Sequence, residues 1–181
     1  MNEGKSTPNQ GLFEWLQSIV PMFLIVLALL TFVGRTIGVQ GPSMSPTLLE
    51  GDRMIVRVIL YTPRHGDMII FSKQNFQDGE AIVKRVIALE GDVVDINTET
   101  GIVYVNGLPL DEPYTSGPTY HPGDISYPFT VPPGHVFAVG DHRGGSQDSR
   151  HSEIGPVDER EIVGQVVAVF FPFNRAQFFL S

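Results

Sequence analysis

Residues 81–96 read Ala-Ile-Val-Lys-Arg-Val-Ile-Ala-Leu-Glu-Gly-Asp-Val-Val-Asp-Ile, and the fold class turns on them. Valine and isoleucine are stiff at χ1 and suit a pleated, half-buried surface. They fill two short runs, Ala81 to Leu89 and Val93 to Ile96, with Gly91-Asp92 between them. Helical periodicity is weak in both, so they read as strands, and the intervening Gly-Asp pair reads as the turn of a hairpin.

Outward from this stretch the same texture recurs. Met54 to Leu60, Met68 to Phe71, Ile102 to Val105, Val136 to Val139 and Ile162 to Phe171 are apolar runs broken by Gly, Pro, Asn and Asp. Asn106-Gly107, directly after Val105, is a tight-turn signal. Between Leu108 and Pro133 the chain is rich in Pro, Gly and Tyr and follows neither pattern, which predicts a surface excursion. The expected class is mainly β: an N-terminal transmembrane helix followed by a β-rich, partly barrel-like antiparallel domain.

The expected span is the run Ile-Val-Pro-Met-Phe-Leu-Ile-Val-Leu-Ala-Leu-Leu-Thr-Phe-Val, residues 19–33, within an uncharged stretch from Gln17 to Gly34. A helix over Ser18 to Gly38 rises roughly 30 Å, the thickness of a bilayer core. Phe13 and Trp15 then sit near one interface. No small-x-small cleavage site follows the run, which favours an anchor that is retained. Lys5 precedes it, and Arg35 and Arg53 follow it, so charge bias leaves the orientation open. The chain divides into a tail over 1–17, a transmembrane helix over 18–38 and a β-rich domain over 39–181, with 108–133 as its excursion.

With 181 residues there is room for one compact domain beyond such an anchor. The net charge of −8, from 12 basic and 20 acidic residues, excludes a nucleic-acid binder, which needs clustered Lys and Arg. Zero cysteines exclude a thiol nucleophile, a disulfide framework and a thiolate metal site.

Three clusters carry candidate chemistry. Gly41-Pro42-Ser43-Met44-Ser45-Pro46 is a stiff, irregular segment that presents a hydroxyl, and residue chemistry alone does not choose between Ser43 and Ser45. Lys84 falls among Ile82, Val83, Val86 and Ile87. A free lysine titrates near about 10.4, so a lysine base must be shifted. Burial against apolar side chains does this, a drop of about three units corresponding to roughly 4 kcal/mol. The alternative is a lysine whose stem lies on apolar surface with its head in water. Gly140-Asp141-His142-Arg143-Gly144-Gly145-Ser146-Gln147-Asp148-Ser149-Arg150 reads as a tight loop held by Asp-Arg pairs, with Ser146 or Ser149 free to orient another group. A Ser-His-Asp hydrolase using His142 or His151, a metal site from His142, Asp148 and His151, and a non-catalytic binding module built on Tyr114, Tyr120 and Tyr127 are competing readings.

In their order along the chain, the apolar span, Ser-Met-Ser-Pro-Thr at 43–47, Arg-His-Gly-Asp-Met-Ile-Ile-Phe at 64–71, the 81–92 stretch and the 140–150 loop resemble the bacterial type I signal peptidases. The resemblance runs from the span to about Val169. It implies a Ser-Lys serine protease with Ser43 as nucleophile and Lys84 as general base. Ser146 orients the lysine, Asp141, Asp148 and Arg150 support the site, and the backbone N–H of Ser43 donates to the oxyanion. It further implies a single-pass membrane protein with its catalytic domain on the extracytoplasmic face, preproteins as substrates, and neither metal nor cofactor. A specialised relative of pilin-maturation or conjugal-transfer type fits the same residues. His142 departs from the usual asparagine, and Ala88 and Glu90 from the usual glycine and proline. Phe170-Phe171 and Phe178-Phe179-Leu180 are expected either against the bilayer or in the core.

Overall fold

The computed structural model describes residues 14–25, 35–73, 76 and 79–179. Residues 14–25 are helical, and every one of them is exposed. No helix among the described residues is long and apolar enough to cross a membrane. Residues 26–34, most of the expected span, lie outside the described residues, as do Phe13 and Leu180. The expected helix boundary at Gly38 is corrected: Arg35–Gly38 is a strand, β1, paired antiparallel with Arg53–Arg57, β2.

Ten further strands follow in chain order: Met68–Ser72 (β3), Ala81–Ala88 (β4), Val93–Asn97 (β5), Ile102–Val105 (β6), Leu108–Pro109 (β7), Phe129–Thr130 (β8), His135–Val139 (β9), Val157–Asp158 (β10), Ile162–Phe171 (β11) and Gln177–Phe178 (β12). They form two antiparallel sheets. The larger runs β1-β2-β11-β3-β4-β9-β10, with β12 against β11, and the smaller runs β7-β6-β5-β8. The mainly β expectation holds, but the barrel-like element does not. β1 and β10 remain at opposite edges, and no pairing among the described strands joins them. Curvature comes instead from irregularities in β11 at Val166/Ala168 and Val169/Phe171, which bend that long strand across β2.

Strand alternation builds the cores. Along β3, Ile70 joins Val39, Met44, Leu48, Met54, Val56, Val166 and Val169 on one face of the large sheet. Its neighbours Ile69 and Phe71 join Phe76, Val86, Val136, Ala138, Ile154 and Val157 on the other. A third cluster, around Ile87, Val94, Val103, Phe137 and Val139, sits between the two sheets. Each fully buried Val, Ile or Phe contributes about 1.5–3 kcal/mol.

Asn106 and Gly107, at φ 53° and 77°, make the expected tight turn between β6 and β7. Gly91-Asp92 turns the chain too, but β4 and β5 belong to different sheets, so this turn is a crossing and not a hairpin. β2 ends at Arg57, short of the expected Leu60, which has φ 52° and leaves the strand. Phe171 and Phe178 are exposed, whereas Phe179 packs against the first core.

Candidate active site

The segment after β1 folds back on itself before it reaches β2. Val39 N–H donates to Asp52 O at 2.8 Å, Gly51 N–H to Val39 O at 3.1 Å, Ser45 N–H to Pro42 O at 2.9 Å and Leu48 N–H to Met44 O at 2.9 Å. Met44 and Leu48, both fully buried, peg this turn into the first core. Ser43 sits half-buried just before the first peg, and its carbonyl accepts from His142 N–H at 3.1 Å. Among the described residues the Ser43 N–H has no acceptor of its own, which leaves a donor beside the hydroxyl.

Lys84 lies in β4 opposite Ile69 of β3 and is 3% exposed. Its Nζ reaches Ser43 Oγ at 2.9 Å and the Val83 carbonyl at 3.0 Å. Burial lowers the Lys84 ammonium from 10.5 to about 8. Asp148 pulls it back upward, Arg150 lowers it further, and Asp141 again raises it. Two residues that lie 41 positions apart in sequence thus form a hydroxyl–amine pair. Ser45 takes no part, and no histidine ring among the described residues bonds to Ser43. His151 Nδ1 instead accepts from Asp148 N–H at 3.4 Å, and His142 Nδ1 is buried without a partner among the described residues.

The 140–150 loop supports this pair through buried charge. Burial alone would push the Asp148 carboxyl up, but the Arg150 guanidinium, the Gly140 N–H and the Ser146 hydroxyl outweigh it and hold Asp148 below its usual range. Arg150 grips Asp148 through two bonds of 2.8 Å and also donates to the carbonyls of His121 and Arg143. The expected Asp-Arg pairing holds there. Asp141 differs, because Arg85 of β4 is its partner, through bonds of 2.8 and 2.7 Å, and Thr47 Oγ1 adds a third at 2.5 Å. Arg143 turns away to Glu112 and Thr119 of the excursion.

Ser146 is buried beside the pair, yet its Oγ lies 3.5 Å from the Gln147 carbonyl and supports Asp148 without bonding to Lys84. Ser149 Oγ accepts from Ala138 N–H at 3.0 Å, tying the loop to β9. Gly140 is the meeting point: a Cβ there would fall 2.2 Å from Ser146 Oγ and 2.5 Å from the Ser43 carbonyl. Only glycine lets β9, the loop and the serine turn approach this closely.

Sequence reasoning missed Thr47, Arg85, Glu112 and Tyr114 as parts of the site. Tyr114 lies under the Arg85 guanidinium, 4.0 Å from its ring centre, so the excursion is a strap over the charge network. No local pattern marks these residues, whose partners in the site are 29 to 94 positions away. In front of Ser43 runs a groove of about 670 Å³, lined by Ile37, Val39, Met44, Ile82, Val83 and Gly145 among others.

Residues 12–171 match the family model described as signal peptidase, peptidase S26. The chain is 35% identical over 187 residues to a signal peptidase I of Bacillus licheniformis, covering 97% of each. It is 35% identical over 185 residues to signal peptidase IB of Staphylococcus aureus, covering 92% of this chain and 93% of that one. A crystal structure of a signal peptidase I from Enterococcus faecalis V583 superposes with a TM-score of 0.47 at 27% identity, over 59% of this chain and 98% of that one.

Proposed function

The chain belongs to the signal peptidase family, peptidase S26, and from that premise we propose that it is a membrane-anchored serine endopeptidase that cuts signal peptides from exported preproteins after small residues, with Ser43 as nucleophile and Lys84 as general base. The observation that carries the reading is the 2.9 Å contact between Lys84 Nζ and Ser43 Oγ, with the lysine lowered to about 8 by burial.

Deprotonated Lys84 takes the proton of Ser43 as Oγ attacks the scissile carbonyl, forming the C–O bond of a tetrahedral intermediate. The unpaired Ser43 N–H meets the developing oxyanion. Collapse breaks the C–N bond while Lys84 returns its proton to the leaving amine, and the acyl-enzyme remains. Lys84 then takes a proton from water as it attacks the ester carbonyl, and returns that proton to Ser43 Oγ as the acyl C–Oγ bond breaks and the acid is released. The groove suits an extended segment, with Ile82, Val83 and Val39 near the side chains upstream of the cut.

Anchoring is supported by the apolar stretch from Gln17 to Gly34 and by the exposed Trp15, Phe23 and Ile25 of the 14–25 helix. The catalytic domain then stands on the extracytoplasmic face. The test is cleavage of a purified preprotein by wild type, Ser43→Ala, Ser45→Ala and Lys84→Ala, with the new N-terminus sequenced. Cutting after a small residue by wild type and Ser45→Ala, with the other two folded but inactive, is expected. Efficient cutting by Lys84→Ala would sink the mechanism.

A further inference from the structure

One wall of the groove is a single residue thick. Gly145 and Gln147 line the groove, whereas Gly144 and Ser146 line a second cavity of about 400 Å³, together with His121, Arg150 and His151. Successive residues of the 140–150 loop thus face opposite spaces. A wall with room on both sides depends on a few contacts for its position, because close packing is what holds a side chain or a backbone segment still.

His142 supplies several of those contacts. Its N–H donates to the Ser43 carbonyl at 3.1 Å, and its own carbonyl accepts from Gly145 N–H at 3.0 Å, so one residue links the backbone of the nucleophile to the wall. The ring adds a steric contact. A Cβ at Gly145 would fall 2.7 Å from His142 Cε1, 2.8 Å from Nδ1 and 3.3 Å from Nε2. Gly145 does not have a positive φ, so glycine is needed there for space and not for backbone freedom. The imidazole fills the volume that a side chain at position 145 would take. Its Nδ1 is buried there without a partner among the described residues, a cost that packing on Gly145 imposes.

We propose that His142 is a positioning residue that sets the width of the groove beside Ser43, and with it the size of side chain admitted at the cut. The proposal deepens the peptidase reading above and rests on it. With the ring wedged behind Gly145, the wall stands at a fixed distance from the serine turn to which His142 N–H is bonded. A small residue before the scissile bond fits that width, and a larger one must displace the wall. His142 acts through Gly145 and not through the base: among the described residues its ring bonds to neither Ser43 Oγ nor Lys84 Nζ, whose partners are each other and the Val83 carbonyl.

The test is a double-mutant cycle in the full-length chain, read with two soluble peptides that differ only in the residue before the cut, Ala or Val. In His142→Ala the preference for Ala over Val, as a ratio of kcat/KM values, should fall about tenfold while the pH midpoint of activity stays where it is in wild type. Gly145→Ala should lose about tenfold in kcat/KM on the Ala peptide, because its methyl meets the ring. Combined with His142→Ala, the same methyl enters vacated space, and rate and preference should both recover. His142→Asn, which keeps the backbone bonds with a smaller side chain, should show a smaller loss of preference and carries the test if His142→Ala does not fold. An unchanged preference in folded His142→Ala or His142→Asn would overturn the proposal, as would a Gly145→Ala penalty that is the same with and without the ring. A shifted pH midpoint would also overturn it, since His142 would then act on Lys84. Peptide cleavage that survives Ser43→Ala would remove the peptidase reading itself, and the proposal with it.

Discussion

Lys84 Nζ lies between two oxygens, 2.9 Å from Ser43 Oγ and 3.0 Å from the carbonyl of Val83. A neutral amine has two N–H donors and one lone pair. With the Val83 carbonyl engaging one donor, the lone pair is free to face the serine. In the ammonium form Nζ donates to Ser43. After deprotonation the direction reverses and Ser43 donates to Nζ, the arrangement a general base requires.

Activity should therefore follow the neutral fraction of Lys84. Because burial lowers that ammonium to about 8, kcat/KM on a soluble peptide is expected to fall about tenfold per pH unit below the midpoint and to level off above it. A midpoint near about 6.5, the ordinary histidine range, would point to another base.

The same burial makes Lys84 a destabilising residue. Its folded value of about 8 lies below the unfolded value of about 10.4, so between these the unfolded chain binds more protons and stability rises with pH. Below about 8 both states are charged, and the penalty is at its full size of about 3 kcal/mol. Lys84→Met should thus gain about 1–3 kcal/mol in denaturant unfolding at pH 7 and lose that gain towards pH 10. A variant less stable than wild type at pH 7 would contradict the account.

Asp148 acts on Lys84 by charge. Its carboxylate raises the lysine while Arg150 lowers it, so Asp148→Asn should move the activity midpoint to lower pH. It also strips the buried Arg150 of its partner, at a cost of about 3–5 kcal/mol in stability. An unmoved midpoint in folded Asp148→Asn would show that this charge does not reach the base.

Gly140 and Gly144 should behave oppositely. A Cβ at Gly140 would press Ser146 and the Ser43 carbonyl, whereas one at Gly144 meets nothing within 4 Å. Gly140→Ala is expected to lose about 1–3 kcal/mol and, through displaced Ser43, about a hundredfold in kcat. Gly144→Ala should match wild type in both thermal unfolding and turnover.

Much of the fold was legible because its central strands advertise themselves. β3, β4, β6, β9 and β11 begin or end within a residue or two of the apolar runs that foretold them. β1 was not legible, because Arg35–Gly38 follows the longest apolar stretch and read as its tail. β7, β8, β10 and β12 have two residues each, too few for any periodicity, and exist only through their partners. Gly91-Asp92 announced a turn but not which sheet the next strand would join.

The site was legible in its parts more than in its assembly. Residue chemistry left Ser43 and Ser45 equivalent, and the resemblance to a family favoured Ser43, the serine that meets Lys84 here. Asp-Arg pairing was anticipated within the 140–150 loop, and Asp148–Arg150 has it. Asp141 takes Arg85, 56 positions away, because β4 and the end of β9 are neighbours in the sheet, a fact of topology that no local pattern carries.

The most direct measurement is the titration of Lys84 itself, by nitrogen NMR of lysine-labelled full-length chain in detergent. One side-chain resonance, missing from Lys84→Met, is predicted to titrate near about 8. If that resonance titrates near about 10.4 like a free lysine, Lys84 is charged at neutral pH and is not the base that activates Ser43.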